Sequence, residues 1–202
     1  MKIWFDILTP KQYLFFEYFV LKLRKQHKIV CTSRKYEQVN GIEKFGSINP
    51  IIVGKHGGKN NLNKLLESLN RSKLLTKKIE KWSPDLLISF CSPEASRVAY
   101  GLGIPHIAFS DSPHATAVMK LSLPYVTKLL IPWIIPKEDF KEFGINYKNI
   151  IKYRAIDAGV IIKNYKKNKQ KKLNKKKIIL IRPEESEAAY ITKKSKTCLL
   201  YT

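Results

Sequence analysis

The stretch "FSDSPHA", residues 109–115, puts an acid and a histidine three positions apart just after the apolar run "GIPHIA". Asp111 and His114 have the residue types for acid–base work, since an imidazole beside a carboxylate can take a proton near neutral pH. The same letters also spell a helix start. Ser112 has the chemistry of an N-cap and Pro113 suits a first helical turn, which would place His114 where the positive helix end favours a neutral ring. A second stretch, "GKHGGK" at 54–59, surrounds His56 with Gly57, Gly58 and Lys59. Glycines let a backbone approach closely and a helix N-terminus attracts anions, but the spacing is not that of a Walker loop. Asp6, Lys11 and Gln12 follow the first apolar run, and Ser92 and Arg97 follow a later one. No other histidine or carboxylate stands at ligand spacing from His114, so no metal is expected there.

These groups need a scaffold, and the hydrophobic pattern supplies one. Strand-like runs at 2–8, 28–33 and 50–54 alternate with helical patterns at 11–27, 35–45 and about 59–82. In the last of these, Leu62, Leu65, Leu66 and Leu69 form a stripe that Leu75, Ile79 and Trp82 continue, the signature of a core-facing helix. "PDLLISF", "PHIAF", "KLLIP" and "NIIKY" read as further strands with helices between them. Repeated strand–helix units with near-continuous apolar strands predict an α/β fold, a doubly wound, mainly parallel sheet over residues 1–155. Ligands of such sheets bind at the carboxyl ends of the strands. Most of the polar candidates fall at that rim.

Charge and cysteines narrow the class. The chain of 202 residues carries 38 Lys and Arg against 16 Asp and Glu, a net charge of +22. Such a balance suggests nucleic acid or an anionic membrane surface. Yet nine lysines lie in residues 163–177, and 22 less 9 leaves +13 for the rest. Lysine outnumbers arginine, which disfavours bidentate base reading, so nucleic acid is the weaker partner. Cys31, Cys91 and Cys198 form neither a CxxC pair nor a zinc spacing, in keeping with a reducing, cytoplasmic setting. The aromatic helix "YLFFEYFVLKLR" allows peripheral membrane contact, with core packing the favoured reading. Residues 156–177 read as a hinge and basic linker, and 178–202 as the first strand and helix of a second unit.

Taken in order, "IWFDILTPKQ", "GKHGGK", "FCSPEASRVAYGLGIPHIAFSDSPHA", "IPKEDFKEFG" and "IRPEESEAAYI" resemble the domain of unknown function 354 family of archaea and bacteria. That family looks like the two-domain GT-B glycosyltransferases and the UDP-N-acetylglucosamine 2-epimerases. The resemblance implies a Rossmann-like, acceptor-side first half, a nucleotide sugar as substrate with an unknown acceptor, and no cofactor. It implies Asp6, His56, Gly57, Gly58, Lys59, Asp111 and His114 along the first-half wall, and Arg182, Glu184 and Glu185 at the opening of the second half. Ala155 and Ala158 stand in "YRAIDAG" where the family pattern leads one to expect a glycine and an acid. The resemblance also implies a chain continuing past residue 202, so that this one lacks most of the donor-binding half and is inactive alone. A sugar-nucleotide epimerase, and a basic module for RNA or anionic lipid, are the rival expectations.

Overall fold

The computed structural model describes residues 1–35 and 47–164. The predicted helix at 35–45 falls almost wholly outside them, as do most of the basic linker and all of 178–202. Seven strands, β1 (Lys2–Asp6), β2 (Lys28–Lys35), β3 (Ile51–Lys55), β4 (Leu86–Ser89), β5 (His106–Phe109), β6 (Lys128–Pro132) and β7 (Ile150–Tyr153), form one sheet. Its order is β3-β2-β1-β4-β5-β6-β7, and every pairing is parallel. All seven strands predicted in this span are present. The chain winds outward from β1 to β3, returns, and winds the other way from β4 to β7. The gap between β1 and β4 is therefore the point where strand order reverses, the place where doubly wound sheets open a crevice for ligands.

β1 shows why the sheet is sealed on both faces. Ile3 and Phe5 point into a cluster with Tyr13, Phe15, Phe16 and Val20, while Trp4 points the other way among Val53, Leu75, Ile79 and Leu87. The first cluster lies under α1 (Pro10–Leu23) and α5 (Asp157–Asn164). The opposite face is covered by α2 (Asn61–Trp82), α3 (Pro93–Gly101) and α4 (Thr116–Ser122). In keeping with the favoured core-packing reading of the aromatic helix, α1 buries Tyr13, Phe15, Phe16 and Val20. Thr9 caps that helix by accepting from the Gln12 amide at 3.3 Å, and Pro10 occupies its first turn. Burying an aromatic side chain of this size is worth roughly 1.5–3 kcal/mol, which is how a helix this apolar is held.

Two expectations change. The first half of the leucine stripe of α2 does not face the core: Leu62, Leu65, Leu66 and Leu69 are 53–62% exposed, while its continuation, Leu75 and Ile79, is buried as expected together with Arg71. The helix after β5 starts at Thr116, not at Ser112; its cap position is Ala115, with no side-chain cap. The Ser112 hydroxyl is bonded to Asp111 at 2.9 Å, and residues 112–115 form a turn closed by the Ala115 amide on the Ser112 carbonyl. Residues 157–164, within the span read as hinge and basic linker, form α5, which packs on α1.

Candidate active site at the carboxyl rim

Lys11 organises the rim. It stands in the first turn of α1, and its Nζ lies 5.3 Å from the centre of the Phe90 ring, directly after β4. That is the reversal point of the sheet. The ammonium pairs with Asp111 from the end of β5, and with Asp157 at 2.7 Å from the first turn of α5. Asp157 also accepts from the Tyr153 hydroxyl at 2.5 Å, and Asp111 from Ser112. Four chain segments thus meet on one cation. The cluster is half open, the side chains of Lys11 and Asp111 being 41% and 32% exposed.

The charges hold one another. Burial pulls the Lys11 ammonium down, but hydrogen bonds and attraction from Asp111 and Asp157 outweigh it and leave its pKa above the ordinary lysine value. Burial pushes Asp111 up, and the bond to Lys11 overrides it, so the carboxyl sits below its usual range. Burial and the bond to Asp157 raise the Tyr153 phenol far above normal, so it stays a donor. Beside this cluster Cys91 adopts φ +46, a left-handed backbone that few non-glycine residues take. Burial pushes its thiol up to about 12, which disfavours the thiolate.

The other predicted residues scatter. His114 is exposed on the turn before α4, and both Asp111 oxygens are engaged by Lys11 and Ser112. The expected placing of His114 inside a helical turn is thereby corrected. Gln12 closes the β1–α1 loop by accepting from the Leu8 amide at 2.7 Å. Ser92 is buried as the cap of α3, and Arg97 is exposed with its guanidinium 5.7 Å from the Tyr125 ring. His56 takes the Gly58 amide on Nδ1 at 3.1 Å, in a loop at the β3 edge. Four strand spacings separate β3 from β5, about 19 Å, so that loop and Asp111 form two separate stations. Gly57 is needed there, because a Cβ would lie 2.5 Å from the Lys64 Cα. Arg182, Glu184 and Glu185 lie outside the described residues.

Asp6, expected on the wall, is wholly buried beneath it. Its Oδ1 accepts from Thr32 at 2.6 Å and from Arg71 at 2.7 Å. Arg71 also donates to the Val53 carbonyl at 3.1 Å and pairs with Glu94 at 3.4 Å, while the Trp4 indole donates to Thr32. Next in the sheet, Ser89 meets His106 Nε2 at 2.9 Å. Burial drives His106 down to about 3, so its ring is neutral. None of Arg71, Glu94, His106, Tyr153 or Asp157 was singled out from sequence. Arg71 had a visible signal: it shares the i, i+4, i+8 row with Leu75 and Ile79, and an arginine on a buried row demands acids opposite it.

A parallel sheet whose strand order reverses between β1 and β4 defines a doubly wound, Rossmann-like α/β fold. The chain belongs to the DUF354 family, described as proteins of unknown function, whose model matches residues 1–201. An uncharacterised protein of Methanocaldococcus jannaschii is 30% identical over 146 residues, covering 71% of this chain and 42% of that one. Among solved structures, the UDP-GlcNAc 2-epimerase of Neisseria meningitidis bound to UDP-GlcNAc shares the fold at TM-score 0.60 and 16% identity, over 75% of this chain and 45% of its own. The Methanocaldococcus jannaschii UDP-GlcNAc 2-epimerase in complex with UDP-GlcNAc and UDP aligns at 0.59 and 16% identity, over 75% and 46%. The spinosyn rhamnosyltransferase SpnG aligns at 0.50 and 11% identity, over 65% and 45%. The chain spans less than half the length of these proteins. No helix among the described residues is long and apolar enough to cross a membrane.

Proposed function

We propose that this chain supplies the acceptor-side wall of a nucleotide-sugar enzyme of the glycosyltransferase-like class. The observation that carries the reading is Lys11, held cationic between Asp111 and Asp157 at the point where strand order reverses. In that role Lys11 and Asp111 grip polar groups of the substrate, one as donor and one as acceptor. His114, exposed on the same loop as Asp111, is the base toward an acceptor hydroxyl. The loop of His56, Gly57, Gly58 and Lys59 forms a second station, and Ser92 shapes the α3 start between them. The donor half, opened by Arg182, Glu184 and Glu185, supplies the facing wall. The reading asks for no metal and no cofactor beyond the nucleotide sugar.

A sugar-nucleotide epimerase is the second reading. It is favoured by the solved structures bound to UDP-GlcNAc, which overlay this fold more closely than the rhamnosyltransferase does. Calorimetry with UDP-GlcNAc tests the shared claim. A version extending to the family's length should bind saturably, and the 202-residue chain should not; absence of binding to both would contradict the reading. Incubation in deuterated water separates the two enzymes. An epimerase working by deprotonation incorporates deuterium into the sugar without an acceptor, whereas a transferase releases UDP only when an acceptor is present.

A further inference from the structure

The outward leucines of α2 ask for a partner. Leu62, Leu65, Leu66 and Leu69 are 62%, 57%, 53% and 60% exposed and share one side of the helix by their i, i+3, i+4, i+7 spacing. The helix buries no residue before Arg71. It is nonetheless fixed, since Asn60 caps it by accepting from the Asn63 amide at 3.1 Å and its Lys64 backbone rests against Gly57. The leucines are therefore displayed by a rigid element. We propose that this face of α2 docks on an anionic lipid surface, the four leucines entering the acyl boundary and the neighbouring lysines meeting lipid phosphates.

Charge selects this occupant. Lys73 and Lys77 are exposed, and helical spacing carries them on along the leucine side. Lys78 and Lys81 are exposed on the following turns. Of the two acids in the helix, Glu67 is paired with Lys55 at 3.2 Å, leaving Glu80 at the far end. An apolar stripe bordered by lysine is the pattern of a helix lying in a membrane interface, where the ammonium groups reach the phosphates while their stems stay apolar. A second copy of the chain would have to approach a molecule that itself carries +22. A domain seated over the carboxyl rim would reach only the upper end, because seven residues of helix run about 10 Å down its flank. The inference stands apart from the nucleotide-sugar reading, since it uses no residue of the Lys11 cluster.

Vesicle sedimentation tests it on the intact chain. The probes are vesicles of phosphatidylcholine alone and of phosphatidylcholine mixed with phosphatidylglycerol. The wild type should bind the mixed vesicles, and the combined variant Leu62→Ser, Leu65→Ser, Leu66→Ser, Leu69→Ser should bind them about tenfold or more weakly with every charge kept. Lys73→Glu with Lys77→Glu should also weaken binding, and added salt should weaken that of the wild type. Equal binding by the leucine variant would overturn the proposal, because the lysines of 163–177 would then suffice. A leucine-dependent dimer in ultracentrifugation, with no leucine-dependent vesicle binding, would overturn it in favour of a second copy. Leu66→Trp guards against loss of folding in the combined variant: its fluorescence should shift to the blue on mixed vesicles, and an unchanged spectrum counts against docking.

Discussion

Two places in this molecule set a cation between two carboxylates, and they do different work. Beneath α2, Arg71 lies between Asp6 and Glu94, its side chain 1% exposed. At the rim, Lys11 lies between Asp111 and Asp157 with 41% of its side chain in solvent. The sealed cluster uses a guanidinium, which keeps its charge and offers several donors in fixed directions. The Val53 carbonyl occupies one of those donors, so the arginine also ties β3 to the helix above it. The open cluster uses a compact ammonium on a flexible stem, whose partners can be traded for a ligand. Similar charges therefore serve the fold where they are closed to water and, in the proposed reading, serve a substrate where they are not.

The comparison is broken most severely at Arg71. Arg71→Met leaves Asp6 and Glu94 buried without their cation and should cost about 3–5 kcal/mol, read as a lower denaturant midpoint. Gly57→Ala disturbs the same helix from its loop. The added Cβ would overlap the Lys64 backbone at 2.5 Å, and the expected loss is about 1–3 kcal/mol by thermal melting. Gly58→Ala meets open space and is strained only by its φ of +68, so it should cost less.

Acid sharpens the contrast. His106 titrates at 6.5 when unfolded but near 3 when buried, so between those values the unfolded chain binds a proton that the folded one refuses. Stability should fall as pH drops through that window, and His106→Gln should flatten the slope in a pH series of melts. Asp111 acts in the same direction at lower pH. Its folded value is depressed, so its contribution is present above the unfolded value and lost as pH falls through the folded one. Lys11 is raised, so its share is complete below the unfolded lysine value and disappears only as pH climbs through the folded one. The smallest stability effect is that of Lys11→Met itself, about 1 kcal/mol, because solvent screens the pair with Asp111 and the buried Asp157 keeps its bond from the Tyr153 hydroxyl.

The sheet was legible because buried parallel strands advertise themselves: "KIWFD" and "HIAF" are apolar on both faces and bounded by turns. The site was legible only in pieces. Lys11 and Asp111 could be placed at the rim from strand ends, but their meeting spans a hundred residues and depends on α5 folding back to bring Asp157. Nothing local in "YRAIDAG" announces that return. His114 was misplaced because Ser-Pro after a strand also suits a plain turn, and here the Ser112 hydroxyl turns to Asp111 instead of capping. The leucines of α2 misled for a different reason. Periodicity tells which residues share a side of a helix, not which side the sheet will cover, and an arginine row was chosen for the core because Asp6 and Glu94 await it there.

The central claim is that the open cluster works on substrate while the sealed one holds the fold. Lys11→Met in a version extending to the family's length, with turnover of a UDP-sugar and melting temperature measured on the same sample, tests it most directly. Turnover should fall by about a hundredfold or more while the melting temperature stays within a few degrees of the parent. Turnover unchanged from the parent would contradict it, whatever the melting temperature did.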